Sequence, residues 1–154
     1  ERAAARHHVR YPARRIDLHL EPELPPVLAH QEYLDQVLQN LISNAEKYGA
    51  PGGPIDLRAE RRGDRVRVLV MDRGPGVEAS RRQRIFEPFV RLDQSVSEGV
   101  GLGLPVCRRL VEVLGGQISV SDRQDGGASF WFELPAILDE GTESLEQPQA
   151  VASH

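Results

Sequence analysis

Three polar residues at helical spacing are the first in this sequence that could do chemistry. Asn40, Asn44 and Lys47 stand four and three positions apart, so a helix would project all of them from one side. Amide oxygens suit a hard cation such as Mg²⁺, and an ammonium group suits phosphate oxygen. A solvated polar helix face would show the same spacing, so these residues alone leave both interpretations open.

A carboxylate ends a strand-like run at Asp72. Valines alternate with other residues through 65–72, and the two-residue period puts Asp72 on their apolar side, where a carboxylate is costly unless something binds it. Gly74 and Gly76 would let a flat ligand approach the backbone, so that Asp72 could accept a hydrogen bond from an exocyclic amine such as that of adenine. The alternative is an aspartate that caps a Gly-Pro-Gly turn.

A glycine-rich segment, 99–105, leads directly into a helical pattern. Free backbone N–H groups and the positive end of the helix could hold polyphosphate there. Dinucleotide-binding turns have similar glycine spacing, but they follow a parallel strand and precede an acidic residue by about twenty positions. A polar loop precedes these glycines, which disfavours the dinucleotide interpretation.

Two aromatic residues, Phe86 and Phe89, flank a proline at the base of the polar stretch 91–98. They predict a hydrophobic anchor for that stretch. A loop pinned there and ending at the glycine-rich segment could open and close as a lid over a bound nucleotide. Arg91, at the start of the loop, could reach phosphate.

The elements that must position these groups alternate between strand and helix. Leu34, Leu38, Leu41 and Ala45 recur at helical spacing and predict a helix over about 30–48. Period-two patterns and turn residues predict the strands, at 15–20, 55–60, 65–72, 117–121 and 128–134. A short helix is expected at about 78–85 and a longer one at about 101–114. Periodicity alone indicates a mixed α/β domain.

The bulk properties limit the partners. The 154 residues suit one domain, and 19 basic against 23 acidic residues give a formal charge of −4, so neither nucleic acid nor anionic lipid is expected as a main partner. Cys107 is the one cysteine, which excludes an internal disulfide and fits a cytoplasmic location. No apolar run is long enough to span a bilayer, which predicts a soluble domain.

In order, these four segments resemble the N, G1, F and G2 boxes of the histidine kinase catalytic domain, within the gyrase, Hsp90, histidine kinase and MutL ATPase superfamily. The resemblance covers residues 16–135, and the segment 126–135 looks like the family's final strand. It implies the Bergerat ATP-binding fold, an α/β (α+β) two-layer sandwich of a mixed β-sheet and about three helices. It also implies ATP and Mg²⁺ as cofactors.

Carried over position by position, the resemblance implies a role for each motif residue. Asn44, helped by Asn40, would bind Mg²⁺, and Asn40 and Lys47 would be the catalytic residues, with Lys47 on phosphate. Tyr48 would line the adenine pocket and Asp72 would receive the adenine amine. The remaining implied cofactor contacts are Gly74 and Gly76, which shape the pocket, the phosphate-binding segment Gly101, Leu102, Gly103 and Leu104, the lid residue Arg91, and Ser129, which would help to hold the base through water.

The position of Asn40 separates the branches of this superfamily. ATP-hydrolysing members carry a glutamate there that activates water, and an amide cannot accept that proton. The resemblance therefore implies transfer of phosphate to a protein histidine. His7 and His8 lack the flanking pattern of a phosphoacceptor box, so we expect the acceptor outside this chain and no autophosphorylation by the chain alone.

The resemblance also implies the domain order and the partners. Residues 1–14 would link to a dimerisation segment, 15–136 would form the catalytic domain, and 137–154 would be a disordered acidic tail. The expected partners are the protein's own dimerisation and phosphoacceptor domain, in a homodimer, and a cognate response regulator. The parent protein is expected in the cell membrane, with this domain in the cytoplasm.

Two other functions fit the same motifs. A serine kinase of the anti-sigma-factor type shares the fold and would leave an acid-stable phosphoprotein, whereas phosphohistidine is acid-labile. A nucleotide-binding module that regulates a partner through lid closure would bind ATP without transferring phosphate.

Overall fold

The computed structural model describes residues 15–88 and 103–139. Over these residues the chain forms five strands, two α-helices and two 3₁₀ turns. In chain order they are β1 (Ile16–Leu20), α1 (Gln31–Tyr48), β2 (Ile55–Arg62), β3 (Arg65–Met71), the first 3₁₀ turn (Ala79–Arg81), the second 3₁₀ turn (Arg84–Phe86), α2 (Gly103–Val113), β4 (Gln117–Asp122) and β5 (Ala128–Pro135). The segments 1–14, 89–102 and 140–154 lie outside the described residues, and with them the predicted linker, lid and most of the predicted tail.

The strands form one mixed sheet in the order β1-β2-β3-β5-β4. β1 runs parallel to β2, and the other neighbours are antiparallel. A hairpin joins β2 to β3 at Gly63, whose φ of +63° suits a residue without a side chain. The helices and the sheet form two layers around one hydrophobic core, which confirms the predicted α/β sandwich.

The two faces of the sheet differ in what covers them. Alternate residues of β5, among them the fully buried Phe130 and Phe132, point into the core with α1 and α2. The residues between them, Ser129, Trp131 and Glu133, point to the other side, which no helix of the described residues covers. We call the first side the helix face and the second the open face. Replacing a core phenylalanine by alanine would cost about 3–5 kcal/mol, so the helix face anchors the fold.

α1 packs through a wider apolar stripe than the sequence pattern predicts. Leu41 and Ala45 are buried as expected, and Leu34 and Leu38 are half-buried against the core. Val37 and Ile42 are also fully buried, although the sequence pattern did not single them out. The stripe is wider because α1 contacts both the sheet and α2.

Two further elements refine the expectations. The short helix predicted at about 78–85 is a pair of 3₁₀ turns, whose tighter winding is common in such short connections. The predicted anchor is confirmed for Phe86, which is buried and meets the Phe130 ring edge-on at 6.5 Å between centroids; Phe89 lies outside the described residues.

Among the described residues, no helix has the length and apolar composition that a membrane span requires.

Candidate functional site

A cavity of about 420 Å³ opens on the helix-face side of the sheet, where α1 ends. It is bounded by the end of α1, the turn after β3, the first 3₁₀ turn and the start of β5. Its lining residues are Lys47, Tyr48, Asp72, Pro75, Gly76, Val77, Glu78, Arg81, Ala128 and Phe130. The structure thus brings together residues that the sequence placed in two separate motifs, one on a helix and one after a strand.

Asp72 lies at the floor of this cavity and is 3 % exposed. Its Oδ1 accepts hydrogen bonds from the backbone N–H groups of Gly74 at 2.8 Å and Ala128 at 3.3 Å. Its other oxygen, Oδ2, accepts no hydrogen bond within the part of the chain that the structure describes. A buried carboxylate that is fixed by backbone donors and keeps one oxygen free can receive a donor from a ligand.

Glycines allow three backbone segments to meet around Asp72. A Cβ at Gly74 would overlap the Tyr48 carbonyl oxygen and the Cα of Gly49 at the end of α1. Gly127 has a φ of +101°, and a Cβ there would overlap the Asp72 carbonyl oxygen and the Cα of Arg73. The sequence singled out Gly74 but not Gly127, although the Asp-Gly-Gly turn before β5 was the signal for a backbone that only glycine adopts easily.

The polar face of α1 extends from the cavity toward the start of α2. Asn40 accepts a hydrogen bond from Gln36 Nε2 at 3.1 Å, and its own Nδ2 donates to the Gly103 carbonyl oxygen at 3.4 Å. Asn44 is half-buried, and its Nδ2 is closed to water without a hydrogen-bond partner among the described residues. Lys47 is exposed at the rim of the cavity. Asn40 is therefore held in place, whereas Asn44 Nδ2 lacks a hydrogen-bond partner in the described part of the chain.

The spacing of these groups defines a track about 10 Å long. Lys47 and Asn40 are seven residues apart on one helix, and each residue advances about 1.5 Å along the axis. Beyond Asn40 lie Gly103 and Leu104 in the first described turn of α2, where backbone N–H groups have no helical partner within 15–88 and 103–139. A ligand with a base at Asp72 and a phosphate chain along α1 would match this arrangement. Gly101, Leu102 and Arg91, the other predicted phosphate contacts, lie outside the described residues.

The residues on the track fit a hard cation. Turning the Asn44 amide about its last bond exchanges its oxygen and nitrogen, so the oxygen can face either way. No cluster of three or more His, Cys, Asp or Glu residues within 15–88 and 103–139 could hold a metal ion. A cation at this place would therefore depend on amide oxygen, water and phosphate, the ligand set that Mg²⁺ commonly takes beside nucleotides.

Cys107 lies behind this track and has a structural role. The thiol is fully buried, and burial raises its pKa to about 12 despite an opposing hydrogen bond with Asn40. It donates a weak hydrogen bond to the Val37 carbonyl oxygen at 3.8 Å. Burial therefore disfavours the thiolate, which is the reactive form of a cysteine.

Contrary to the prediction, Ser129 does not line this cavity. Strand alternation puts Ala128 and Phe130 in the cavity wall and Ser129 on the open face. The two-residue period of a strand, applied backwards from Phe132, would have predicted this orientation of Ser129 from the sequence. Val77, Ala128 and Phe130 are the apolar wall residues that sequence reasoning missed.

Comparisons with known proteins show the family of this chain. Residues 29–137 match the family described as histidine kinase-, DNA gyrase B- and HSP90-like ATPases. The alginate biosynthesis sensor protein KinB of Pseudomonas aeruginosa is 41% identical over 125 residues, which are 80% of this chain and 21% of KinB.

Two solved structures have the same fold. Full-length ShkA in complex with AMPPNP gives a TM-score of 0.76 at 37% identity over 88% of this chain and 28% of that chain. Histidine kinase ThkA in complex with the response regulator protein TrrA gives 0.68 at 30% identity over 86% and 37%. The chain thus spans well under half the length of these proteins.

Proposed function

Because the chain belongs to the family of histidine kinase-, DNA gyrase B- and HSP90-like ATPases, we propose that it binds Mg-ATP at Asp72 and donates the γ-phosphate to a protein histidine. Its sequence relatives and its fold are those of sensor histidine kinases. The phosphoacceptor histidine would lie on the dimerisation domain of the parent protein, which would act in a two-component system.

The burial and the hydrogen bonding of the Asp72 carboxylate are the observations that support this proposal. Its carboxylate is buried, faces a cavity large enough for a base, and has one oxygen without a donor. The exocyclic amine of adenine is a neutral donor that matches this oxygen, and Val77, Ala128 and Phe130 offer apolar contacts to the ring. The complex of the related protein ShkA with AMPPNP supports an adenine nucleotide as the ligand.

The α1 track would position the phosphates. Asn44 would hold Mg²⁺ with help from Asn40, and Lys47 would contact phosphate oxygen as a point charge. Bound Mg²⁺ would neutralise phosphate charge and fix the terminal phosphate for in-line attack. Gly103 and Leu104 would donate backbone N–H groups from the first turn of α2.

Asn40 favours phosphotransfer over hydrolysis as the main activity. Its amide cannot take a proton from water, and hydrogen bonds with Gln36 and Gly103 hold it while its oxygen keeps a second lone pair for Mg²⁺. The site would therefore orient ATP and stabilise charge, while the nucleophile comes from the acceptor histidine. The complex of ThkA with TrrA supports a response regulator as the partner that receives phosphate next.

Loss of nucleotide binding is the first test. Asp72→Asn replaces the free acceptor oxygen and its charge, so we expect the affinity for Mg-AMPPNP to fall about 100-fold in isothermal titration calorimetry. Asp64→Asn is the matched control, because Asp64 is an exposed aspartate about 26 Å away at the other end of β3. Equal binding by wild type and Asp72→Asn would refute the site.

Phosphotransfer is the second test. The chain alone should label nothing with [γ-³²P]ATP, and addition of a histidine-bearing dimerisation segment in trans should give an acid-labile phosphoprotein. Acid-stable label on a serine would favour the anti-sigma-factor type of kinase. Binding of ATP with no label on any supplied segment would favour a regulatory nucleotide-binding module.

A further inference from the structure

A second, larger cavity of about 760 Å³ lies on the open face of the sheet. Asp56, Met71 and Ser129 stand side by side across β2, β3 and β5 at its floor, because Asp56 pairs with Met71 and Met71 with Ser129. Arg73 and Arg123 approach from the ends of their strands. We call this the rear cavity, and the nucleotide site proposed above has no part in it.

Three buried polar atoms at the rear cavity have no hydrogen-bond partner in the described part of the chain. They are Oγ of Ser129, which is 5 % exposed, Nη1 of Arg123 and the carboxylate oxygen Oδ2 of Asp56. Arg123 Nη2 lies 3.0 Å from Asp56 Oδ2 as an ion pair, so the guanidinium is held by one arm while the other stays unused. A hydroxyl and a guanidinium arm buried without partners are costly, and both can donate.

Of the described residues, five arginines and four carboxylates line the rear cavity, an excess of one positive charge. Among the lining carboxylates, Asp122 pairs with Arg82 at 2.7 Å and Glu60 with Arg62 at 3.2 Å. Asp56 is shared by Arg123, by Arg73 at 3.9 Å and by His19 at 3.4 Å. Asp125 also lines the cavity. Arg58 lines it without an acidic partner among the residues described, and Arg73 is too far from Asp56 for a hydrogen bond.

We propose that the rear cavity binds a phosphate group, held by Ser129 Oγ and by the guanidinium groups of Arg123, Arg73 and Arg58. Arg58 and Ser129 lie in strands β2 and β5, and Arg73 and Arg123 lie in the segments that follow β3 and β4, so the donors converge from several directions. A tetrahedral phosphate offers oxygens in several directions, whereas a planar carboxylate offers two. Because Ser129 Oγ and Arg123 Nη1 are closed to water in this structure, the anion would reach them only if the Arg123 side chain turned outward.

The phosphate can belong to a free ion or to an organic monoester. Leu69 and Met71 add an apolar wall to the cavity, which would contact the body of an ester, and the Arg67 guanidinium lies over the Trp131 ring at 3.9 Å from its centroid. Inorganic phosphate and phenyl phosphate are therefore the two probes. Tighter binding of phenyl phosphate assigns the site to a monoester, and equal binding assigns it to the free ion.

An NMR titration of the 154-residue chain tests the proposal. We expect saturable shifts at Ser129, Arg123 and their neighbours, and an affinity about tenfold weaker in Ser129→Ala and in Arg123→Gln. Arg58→Gln, on an exposed side chain, should weaken binding less and keeps the test valid if a buried variant does not fold. Arg109→Gln, an exposed residue on the outside of α2, should bind as wild type.

Several results would overturn the proposal. One is the absence of saturable shifts on the open face. Another is unchanged affinity in the variants of Ser129, Arg123 and Arg58. Acetate binding as tightly as phosphate would rule out a phosphate-selective site. A crystal structure grown with phosphate that shows only an ordered water between Ser129 and Arg123 would assign these donors to the fold.

Discussion

Two buried aspartates on opposite faces of one sheet are stabilised in different ways. Asp72 receives backbone N–H groups and keeps an oxygen free toward its cavity. Asp56, which is 6 % exposed, is surrounded by Arg123, Arg73 and His19. Backbone donors orient a carboxylate without neutralising it, so Asp72 remains available to a neutral donor. Ion pairs occupy a carboxylate, so Asp56 serves to hold its arginines in place.

Gly127 belongs to both regions, and its replacement should have the largest effect. In Gly127→Ala the new Cβ overlaps the backbone of Asp72 and Arg73, so we expect a loss of about 3 kcal/mol in the free energy of unfolding by urea denaturation. Gly126→Ala is the control. Gly126 has a similar φ of +90° but open space around it, so its variant carries only backbone strain, about 1 kcal/mol. Equal losses of stability in the two variants would show that the close approach of Gly127 to the backbone of Asp72 and Arg73 has no role.

Asp56→Asn should show that the two aspartates have different roles. Removing the charge leaves Arg123 and Arg73 without a counter-ion, so we expect about 2 kcal/mol less stability and unchanged affinity for Mg-AMPPNP. Asp72→Asn should do the reverse, because an amide oxygen still accepts the two backbone N–H groups while the ligand loses its acceptor. Thermal unfolding and calorimetry on both variants measure this. Weaker nucleotide binding in Asp56→Asn would contradict the division of roles.

Gln36→Ala should show a smaller effect, confined to the nucleotide side. It removes one hydrogen bond that holds Asn40, worth about 1 kcal/mol, and so should slow phosphotransfer to a supplied acceptor by about fivefold. The Km for ATP should change less than the rate, since Asp72 is untouched. Gln31→Ala, an exposed glutamine at the start of the same helix, is the control. An effect of Gln31→Ala equal to that of Gln36→Ala would mean that helix stability alone is measured.

Local patterns in the sequence predicted most of the fold and the helix-face site. The helical offsets of Asn40, Asn44 and Lys47 and the strand period ending at Asp72 found the polar face of α1 and the cavity floor. Such periods carry side-chain direction directly. The same rule applied to β5 would have placed Ser129 outside this cavity.

The sequence did not predict the contacts between segments that lie far apart along the chain. The bond from Asn40 to Gly103 joins residues 63 positions apart, and the ion pair of Asp56 with Arg123 depends on the strand order. Val37 and Ile42 were missed because the width of a buried helix stripe depends on which elements pack around it. The two 3₁₀ turns were missed because a segment this short has too few residues to show a period. The roles of individual site residues and the domain boundaries remain predictions.

The buried thiol of Cys107 can report how often α1 and α2 separate. The thiol lies in the core, with its pKa raised to about 12, so an alkylating reagent meets it only when α1 and α2 part. Its rate of modification then follows the population of opened molecules. A nucleotide that binds only the closed form slows that rate by the factor 1 + [L]/Kd, which gives a measure of affinity without any label on the ligand.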